Sequence, residues 1–311
     1  MKKRISIGIP CYNEELNIDV IYNKILLVIR KLKKYEFEFI IVDNGSTDKT
    51  RSIIKNLSNK DKRVKAVFLS RNFGPEASAT ACYTYATGDA VIGIAADLQD
   101  PPELIPRFII KWEQGNDIIF GIYNKTEGSI IINWLRKLFY KIFKSISNID
   151  VPINTSGYGL VNRKAVDAFL SLPEKFRFSR GLLSWVGFKR DFVYYSKIRR
   201  RLGKSSYSLF NYIKHAERGV FGFSYLVLDL MIYSGLILVF FSFLFIVVYL
   251  YTVLVIGNPI NASIPTLLSV VFFGGIQLMA ISIIGKYIQV IVEETKNRPV
   301  FVVDETVNIR K

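Results

Sequence analysis

Apolar residues in the first part of the chain fall into two alternating rhythms. Short runs rich in Ile, Val and Phe occur as "RISIGI" (4–9), "FEFIIVD" (37–43), "VKAVFL" (64–69), "DAVIGIA" (89–95) and "NDIIFGIY" (116–123). Runs of this length and composition read as buried strands. Between them, Leu16 to Lys34 and Glu76 to Thr87 carry the periodic pattern of helices. Repeated β-α-β units imply an α/β domain with a mostly parallel sheet covered by helices on both faces. "SGYGLVNRKAVDAFL" (156–170) reads as one more short strand followed by a helix. From Gly128 to Asn148 a helical pattern mixes aromatics with Arg136, Lys137, Lys141 and Lys144. It fits either a surface helix with a solvated basic side or a helix lying on anionic headgroups.

The pattern changes near the carboxyl terminus. Leu230 to Gly257 and Ile260 to Gly285 contain no charged residue, and each exceeds the ~20 residues needed to cross a bilayer core. The connection "NPINASIP" (258–265) lacks Lys and Arg. Arg199, Arg200, Arg201, Lys204, Lys214 and Arg218 precede the pair, and Lys286, Lys296 and Arg298 follow it. The positive-inside rule puts both flanks in the cytoplasm. The expected organisation is a cytosolic domain over 1–205, an interfacial amphipathic helix over 206–226, two transmembrane helices over 227–292 and a cytosolic tail over 293–311. Gly235, Gly274, Gly275 and Ser282 let such helices approach closely. The tail segment "NRPVFVVDETV" (297–307) is strand-like and suited to a neighbour's sheet edge.

Composition agrees with this division. Half of the 311 residues are hydrophobic, and the net charge is +16. Such a balance admits nucleic acid or an anionic membrane surface as partner. The positive charge clusters beside the apolar segments, so the expected partner is the bilayer and not nucleic acid. Cys11 and Cys82 make no disulfide framework, which fits a reducing compartment. The basic start has too short an apolar stretch for a signal peptide. His215 is the only histidine, which excludes a His-ligated metal cluster and a Ser-His-Asp triad.

Four polar motifs follow four of the expected strands: "IPCYNEE" (9–15), "VDNGSTDKT" (42–50), "SRNFG" (70–74) and "ADLQD" (96–100). Open α/β sheets bind ligands at the carboxyl ends of their strands. A carboxylate and amides at the first turn can clasp the base and ribose of a nucleotide. Asp43 at the second can accept a hydrogen bond from uracil or ribose, and Gly45-Ser46 makes a tight turn before a Thr47 cap. Any one motif serves equally as a helix cap; four at one edge point to a site. "KIRRRLGKSSYS" (197–208) brings cations to the water–membrane boundary. They suit a lipid phosphate or, more simply, attraction to anionic lipid.

These motifs resemble the family 2 glycosyltransferases of the GT-A fold, in particular the branch using polyprenyl phosphates, the bactoprenol glucosyltransferases and dolichol-phosphate mannose synthases. That branch carries P-x-Y-N-E, D-[DN]-G-S-x-D, S-R-N-F-G and D-A-D-L-Q-D-P-P-E. Here they stand as Pro10 to Glu14, Asp43 to Asp48, Ser70 to Gly74 and Ala95 to Glu103. The resemblance implies a GT-A (Rossmann-like) domain joined to a two-helix transmembrane hairpin. It implies nucleotide binding by Pro10, Tyr12, Asn13, Glu14, Asp43, Ser70 and Arg71. Asp97 and Gln99 would hold Mg²⁺ or Mn²⁺, with Asp97 and Asp100 as the catalytic pair and Asp100 also suited to an N-cap. "FSRGLLSWVGFKRDFVYY" (178–195) and "RRRLGKSSYSL" (199–209) look like the acceptor side. From them Arg180, Arg199, Arg200, Arg201, Lys204 and Ser205 would receive the acceptor phosphate.

The implied activity is inverting transfer of one sugar, from UDP-glucose or a similar nucleotide sugar, to undecaprenyl phosphate. The enzyme would work on the cytoplasmic face of the plasma (inner) membrane as a homo-oligomer, with a tetramer favoured. Two positions depart from the pattern. Ala95 replaces the first Asp of the metal triplet, and Tyr158 stands in "SGYGL" where relatives often show the acidic residue of G-D-F-R-L. A phosphate acceptor is already anionic and needs little general-base help. The departures leave open a non-catalytic nucleotide-sugar-binding partner of a membrane complex. A processive polysaccharide synthase would carry more membrane helices and a Q-x-x-R-W motif, and neither is present.

Overall fold

A computed structural model of the chain describes residues 2–123, 152, 154–175, 177–198, 226–256 and 263–309. The apolar runs form β1 (Arg4–Cys11), β2 (Glu36–Asp43), β3 (Val64–Leu69), β4 (Ala90–Gly93) and β5 (Ile118–Tyr123). They are joined by β6 (Thr155–Asn162), β7 (Arg190–Tyr195) and β8 (Val303–Val307) in one sheet of order β7-β5-β6-β4-β1-β2-β3-β8. Strands β1 to β4 pair in parallel, as do β5 and β7. Strand β1 lies between β2 and β4, so the chain reverses its direction of winding between β1 and β4. Such a switch point opens a crevice at the strand ends.

Side chains alternate across the sheet and build a core on each face. On one face Ile5, Ile7, Phe39, Ile41 and Phe68 pack with Ile21 and Ile25 of α1 (Ile18–Ile29), Ile54 of α2 (Thr50–Lys60) and Phe108 of α4 (Ile105–Glu113). On the other, Ile40, Val42, Val67 and Val91 meet α3 (Pro75–Tyr85), α5 (Arg163–Ser171) and α6 (Ser179–Trp185). The mostly parallel α/β architecture matches the expectation.

Several elements differ from the sequence pattern. Helix α1 stops at Ile29, its last buried residue, where Arg30, Lys31 and Leu32 turn their amides back onto Leu26, Val28 and Ile29. Strand β6 is antiparallel to both neighbours, inserted between β4 and β5. The tail forms a strand as expected, and β8 pairs antiparallel with β3 of its own chain. Arg51 reaches Asp304 and Glu305 at 2.5 and 2.8 Å, and Asn308 donates to Ser58 and Val64 carbonyls. Charge complementarity thus fixes the tail on the nearest free edge.

Helices α7 (Leu226–Tyr251) and α8 (Ser263–Thr295) contain apolar segments, Leu230–Tyr251 and Ser269–Thr295, long enough to cross a membrane by length and composition. Their described large apolar side chains are mostly exposed. A turn of π-helix, Thr252–Ile256, extends α7. From α8 the chain enters β8 at Val303, beside Leu69 at the carboxyl end of β3. The membrane-length helix therefore joins the domain at the end of the sheet where the polar motifs sit. The helical pattern at 128–148 and the interfacial segment 206–226, apart from Leu226, lie outside the described residues.

Candidate active site

The β1 and β2 exits are stitched together before any ligand is considered. Asn13 takes a left-handed conformation, φ +54°, which Asn tolerates better than most residues. Its amide donates to Ser46 Oγ at 2.9 Å, and its side-chain oxygen accepts from the Thr47 amide at 2.8 Å. The Glu14 amide donates to Thr50 Oγ1, the Glu15 amide to Asp48 Oδ2, and the Lys49 amide to Glu15 Oε2. Thr47 is thus not the cap of α2. Its amide and hydroxyl both donate to Asn13 Oδ1, Lys49 is the N-cap, and Asp48 just before it accepts the Thr50 amide at 2.9 Å. Glu14 and Asn17 are both buried, with Asn17 Nδ2 donating to Glu14 Oε2 at 2.6 Å.

Asp43 ends β2 fully buried. Its Oδ1 accepts the Ser46 amide at 3.1 Å, and its Oδ2 is buried with no hydrogen-bond partner among the described residues. Burial pushes its carboxyl above the ordinary value, against the Ser46 bonds that lower it. A buried lone carboxylate oxygen is costly unless a donor meets it. Beside it, Asn44 holds the third motif: it donates to Asn72 Oδ1 and the Gly74 carbonyl and accepts the Phe73 amide. Gly45, at φ +70°, runs so close to this loop that a Cβ would lie 2.5 Å from the Arg71 carbonyl carbon. Ser70 and Arg71 are exposed, with the Arg71 guanidinium 4.1 Å over the Phe73 ring. Pro10 and Tyr12 are half-buried at the same edge.

The β4 exit makes the fourth motif. Ala95, Asp97 and Gln99 are half-buried, and Leu98 between them has φ +61°. Asp97 Oδ1 accepts the Gln99 amide at 3.1 Å, and its Oδ2 has no partner among the described residues. Among the described residues no group of three or more His, Cys, Asp or Glu assembles to hold a metal. One carboxylate and one amide oxygen source fit a partly hydrated divalent ion that completes its shell with phosphate oxygens and water. Asp100 turns the other way. It is buried, its Oδ1 accepts the Tyr195 hydroxyl at 2.5 Å, and it caps no helix: a 3₁₀ turn at Pro102–Leu104 precedes α4 without a side-chain cap. Tyr158 is buried too, donating to the Pro101 carbonyl at 2.7 Å.

On the acceptor side, Arg180 lies in the first turn of α6 and donates to the Thr155 carbonyl at 2.7 Å. Glu76 of α3 accepts both the amide and hydroxyl of Ser179, and Glu294 of α8 accepts the Lys175 amide with both oxygens. The segment ahead of α6 is thereby tied to the end of the membrane-length helix. Arg199, Arg200, Arg201, Lys204 and Ser205 lie outside the described residues. Asn44, Asp48, Glu76, Glu294 and Tyr195 escape a reading by sequence. Asn44 and Asp48 sit inside a quoted motif, whereas the partners of the other three are set by tertiary contacts alone.

The chain matches the family model described as glycosyl transferase family 2 over residues 6–170. It is 35% identical over 306 residues to an uncharacterized glycosyltransferase of Synechocystis, covering 98% of this chain and 96% of that one. It is 36% identical over 305 residues to the glycosyltransferase YkcC of Bacillus subtilis, covering 98% and 94%. With the bactoprenol glucosyl transferase of Shigella phage SfII it shares 36% identity over 308 residues, covering 97% and 98%. Strand-end motifs, a mostly parallel sheet and near full-length similarity agree: the chain is an enzyme of glycosyl transferase family 2.

Proposed function

We propose that this enzyme transfers one sugar from a nucleotide sugar, UDP-glucose or a close relative, to undecaprenyl phosphate at the cytoplasmic face of the plasma membrane. The observation that carries the donor half is Asp43 Oδ2, a buried acceptor left unpaired where four polar strand exits meet. A uracil N–H or a ribose hydroxyl supplies the missing donor. Asn13 and Glu14 on one side and Ser70 and Arg71 on the other frame the base, ribose and diphosphate. Asp97 and Gln99 would hold the divalent ion, Mg²⁺ or Mn²⁺, which would supply positive charge to offset that of the leaving diphosphate. The acceptor half is supported by the bactoprenol glucosyl transferases among the relatives and by α7 and α8.

An oxygen of the lipid phosphate attacks the anomeric carbon as the bond to the diphosphate breaks, and the configuration inverts. The acceptor is already anionic, so its approach is governed by cations and by position, not by a base. Arg180, Arg199, Arg200, Arg201 and Lys204 are the cations assigned to that phosphate, with Ser205 beside them. Lys286, Lys296 and Arg298 after the second apolar segment favour a cytoplasmic domain. Small residues on α7 and α8 favour assembly into a homo-oligomer, a tetramer in this reading.

The test is nucleotide release by the purified full-length enzyme with a panel of UDP- and GDP-sugars, with and without undecaprenyl phosphate. Release that needs both one donor and the lipid phosphate is expected. Release indifferent to the lipid phosphate refutes the acceptor; no release with any donor refutes the transfer.

A further inference from the structure

We propose that Asp100, Tyr195 and Tyr158 form an internal brace beneath the 97–99 turn, and that Asp100 is a positioning residue and not a reacting group. The inference rests on the donor reading above, because that reading gives the metal–diphosphate to Asp97 and Gln99.

Three consecutive residues at the end of the turn and just after it, Gln99, Asp100 and Pro101, are each held from the β6–β7 side. The Ile198 amide donates to the Gln99 carbonyl at 3.0 Å, the Tyr195 hydroxyl to Asp100 Oδ1 at 2.5 Å, and the Tyr158 hydroxyl to the Pro101 carbonyl at 2.7 Å. The two rings cannot shift to let the turn move. Tyr158 and Tyr195 meet edge to face at 5.7 Å and 88°, and Tyr158 meets Phe108 the same way at 4.8 Å. Gly121 of β5 makes room for both tyrosines. A Cβ there would lie 2.7 Å from the Tyr158 carbonyl oxygen and 3.2 Å from Tyr195 Cε1.

A brace has something to hold. Leu98 has φ +61°, a conformation that costs a non-glycine residue of order 1–2 kcal/mol and persists only where the surroundings over-determine it. Its neighbours Gln99 and Asp100 supply that fixation. The opposed orientations of Asp97 and Asp100 follow: one carboxylate keeps a free oxygen at the cleft, and the other is spent below it. The same geometry accounts for Tyr158 at a position where an acidic side chain was expected. Its hydroxyl is aimed at the turn, and burial, then Asp100 and Glu103, hold its pKa well above the ordinary value, so it donates as a neutral phenol.

The test is a double-mutant cycle in the full-length protein: Tyr195→Phe, Asp100→Asn and the pair, with Tyr158→Phe alongside. Two quantities are read, Mn²⁺-dependent UDP binding and hydrogen exchange at the Leu98, Gln99 and Asp100 amides. Tyr195→Phe, which removes the charge-assisted bond, and Asp100→Asn, which keeps an acceptor but removes its charge, should each weaken Mn²⁺–UDP binding, Tyr195→Phe about tenfold, and each should speed exchange at the turn. The double variant should be no worse than the poorer single, and the pH profile of turnover should keep its shape. Additive losses overturn the brace. So does an Asp100→Asn variant that loses turnover while Tyr195→Phe leaves binding and exchange untouched, since Asp100 would then be reacting directly. Tyr195→Phe and Tyr158→Phe remove only hydroxyls, so their exchange rates decide the matter even if Asp100→Asn fails to fold. Wild-type protein that binds no UDP with Mn²⁺ refutes the donor reading, whereas unchanged exchange in both Tyr→Phe variants refutes the brace.

Discussion

Replacing Asp43 by Asn separates binding from stability, because the two should move in opposite directions. In the ligand-free protein Asp43 is a net cost. It is buried, one oxygen accepts the Ser46 amide, and the other has no partner. Its folded-state pKa lies above its ordinary value. A group raised in this way is most favourable to the fold when protonated, and that benefit is lost as pH rises through the folded pKa. At neutral pH the charged form therefore works against the fold. An unsatisfied buried polar atom costs about 1–3 kcal/mol, and more when it is charged. Asn keeps the Ser46 bond and removes the charge, but its amide still lacks an acceptor. The net gain is about 1 kcal/mol, which raises Tm by roughly 2–4 °C for a domain of this size. Binding pays in the other direction. A nucleotide donor meeting Asp43 Oδ2 makes a charge-assisted bond of about 1.5–3 kcal/mol, so Asp43→Asn should weaken UDP binding roughly 10- to 150-fold. Thermal unfolding in detergent and titration calorimetry with UDP and Mn²⁺ measure the two effects. A variant that melts several degrees lower and still binds UDP like wild type would refute the assignment of Oδ2 to the ligand.

Other perturbations test separate parts of the structure. Gly45→Ala should lower folding stability by at least ~1–2 kcal/mol from the positive φ alone, and so lower Tm, and should weaken donor binding as the new Cβ pushes on Arg71; an unchanged Tm would contradict the close approach. Deleting residues 303–311 removes β8 and the partners of Arg51, and bares β3 as an edge. A lower Tm and aggregation on heating are expected, and a truncated protein as stable as wild type would show that β8 belongs elsewhere. Glu38 is held by Lys65 at 2.5 Å, Ser6 and Thr87; burial alone would raise its pKa, but these bonds outweigh it and hold it below 4.5. Its contribution is present above the ordinary carboxylate value and lost as pH falls through the folded pKa. Urea midpoints from about pH 6 to about pH 3 should therefore fall less steeply for Glu38→Gln than for wild type; parallel curves would refute the buried network.

The parallel core and the gathering of the polar motifs at one sheet edge were legible because their causes are local. Ile-, Val- and Phe-rich runs such as 37–43 have the length and composition of buried strands, and polar residues at the carboxyl ends of parallel strands gather at one sheet edge. Pairing direction was not legible. The segment 155–162 has strand character whichever way it runs, and its antiparallel place between β4 and β5 is decided by the fold around it. The tail shows the same limit: its alternation marks a strand, but Arg51 and Lys55 choose the edge. Within the site, motif spacing located Asp43, Asp97 and Asp100 at strand ends without distinguishing which carboxylate faces the cleft. That distinction comes from Tyr195, almost a hundred residues away in the chain. Tyr158 looked like a defect for the same reason, since its partner, the Pro101 carbonyl, carries no sequence signature.

The central claim is that a single sugar passes from a nucleotide to a lipid phosphate with inversion. It is tested most directly by the mass and anomeric configuration of the lipid product formed when the full-length enzyme, in lipid nanodiscs with Mg²⁺, meets undecaprenyl phosphate and the donor that supports nucleotide release. The expected product is undecaprenyl phosphate carrying one hexose, its anomeric configuration opposite to that of the donor. A retained configuration would contradict the direct displacement, and free sugar with no glycosylated lipid would contradict the transfer itself.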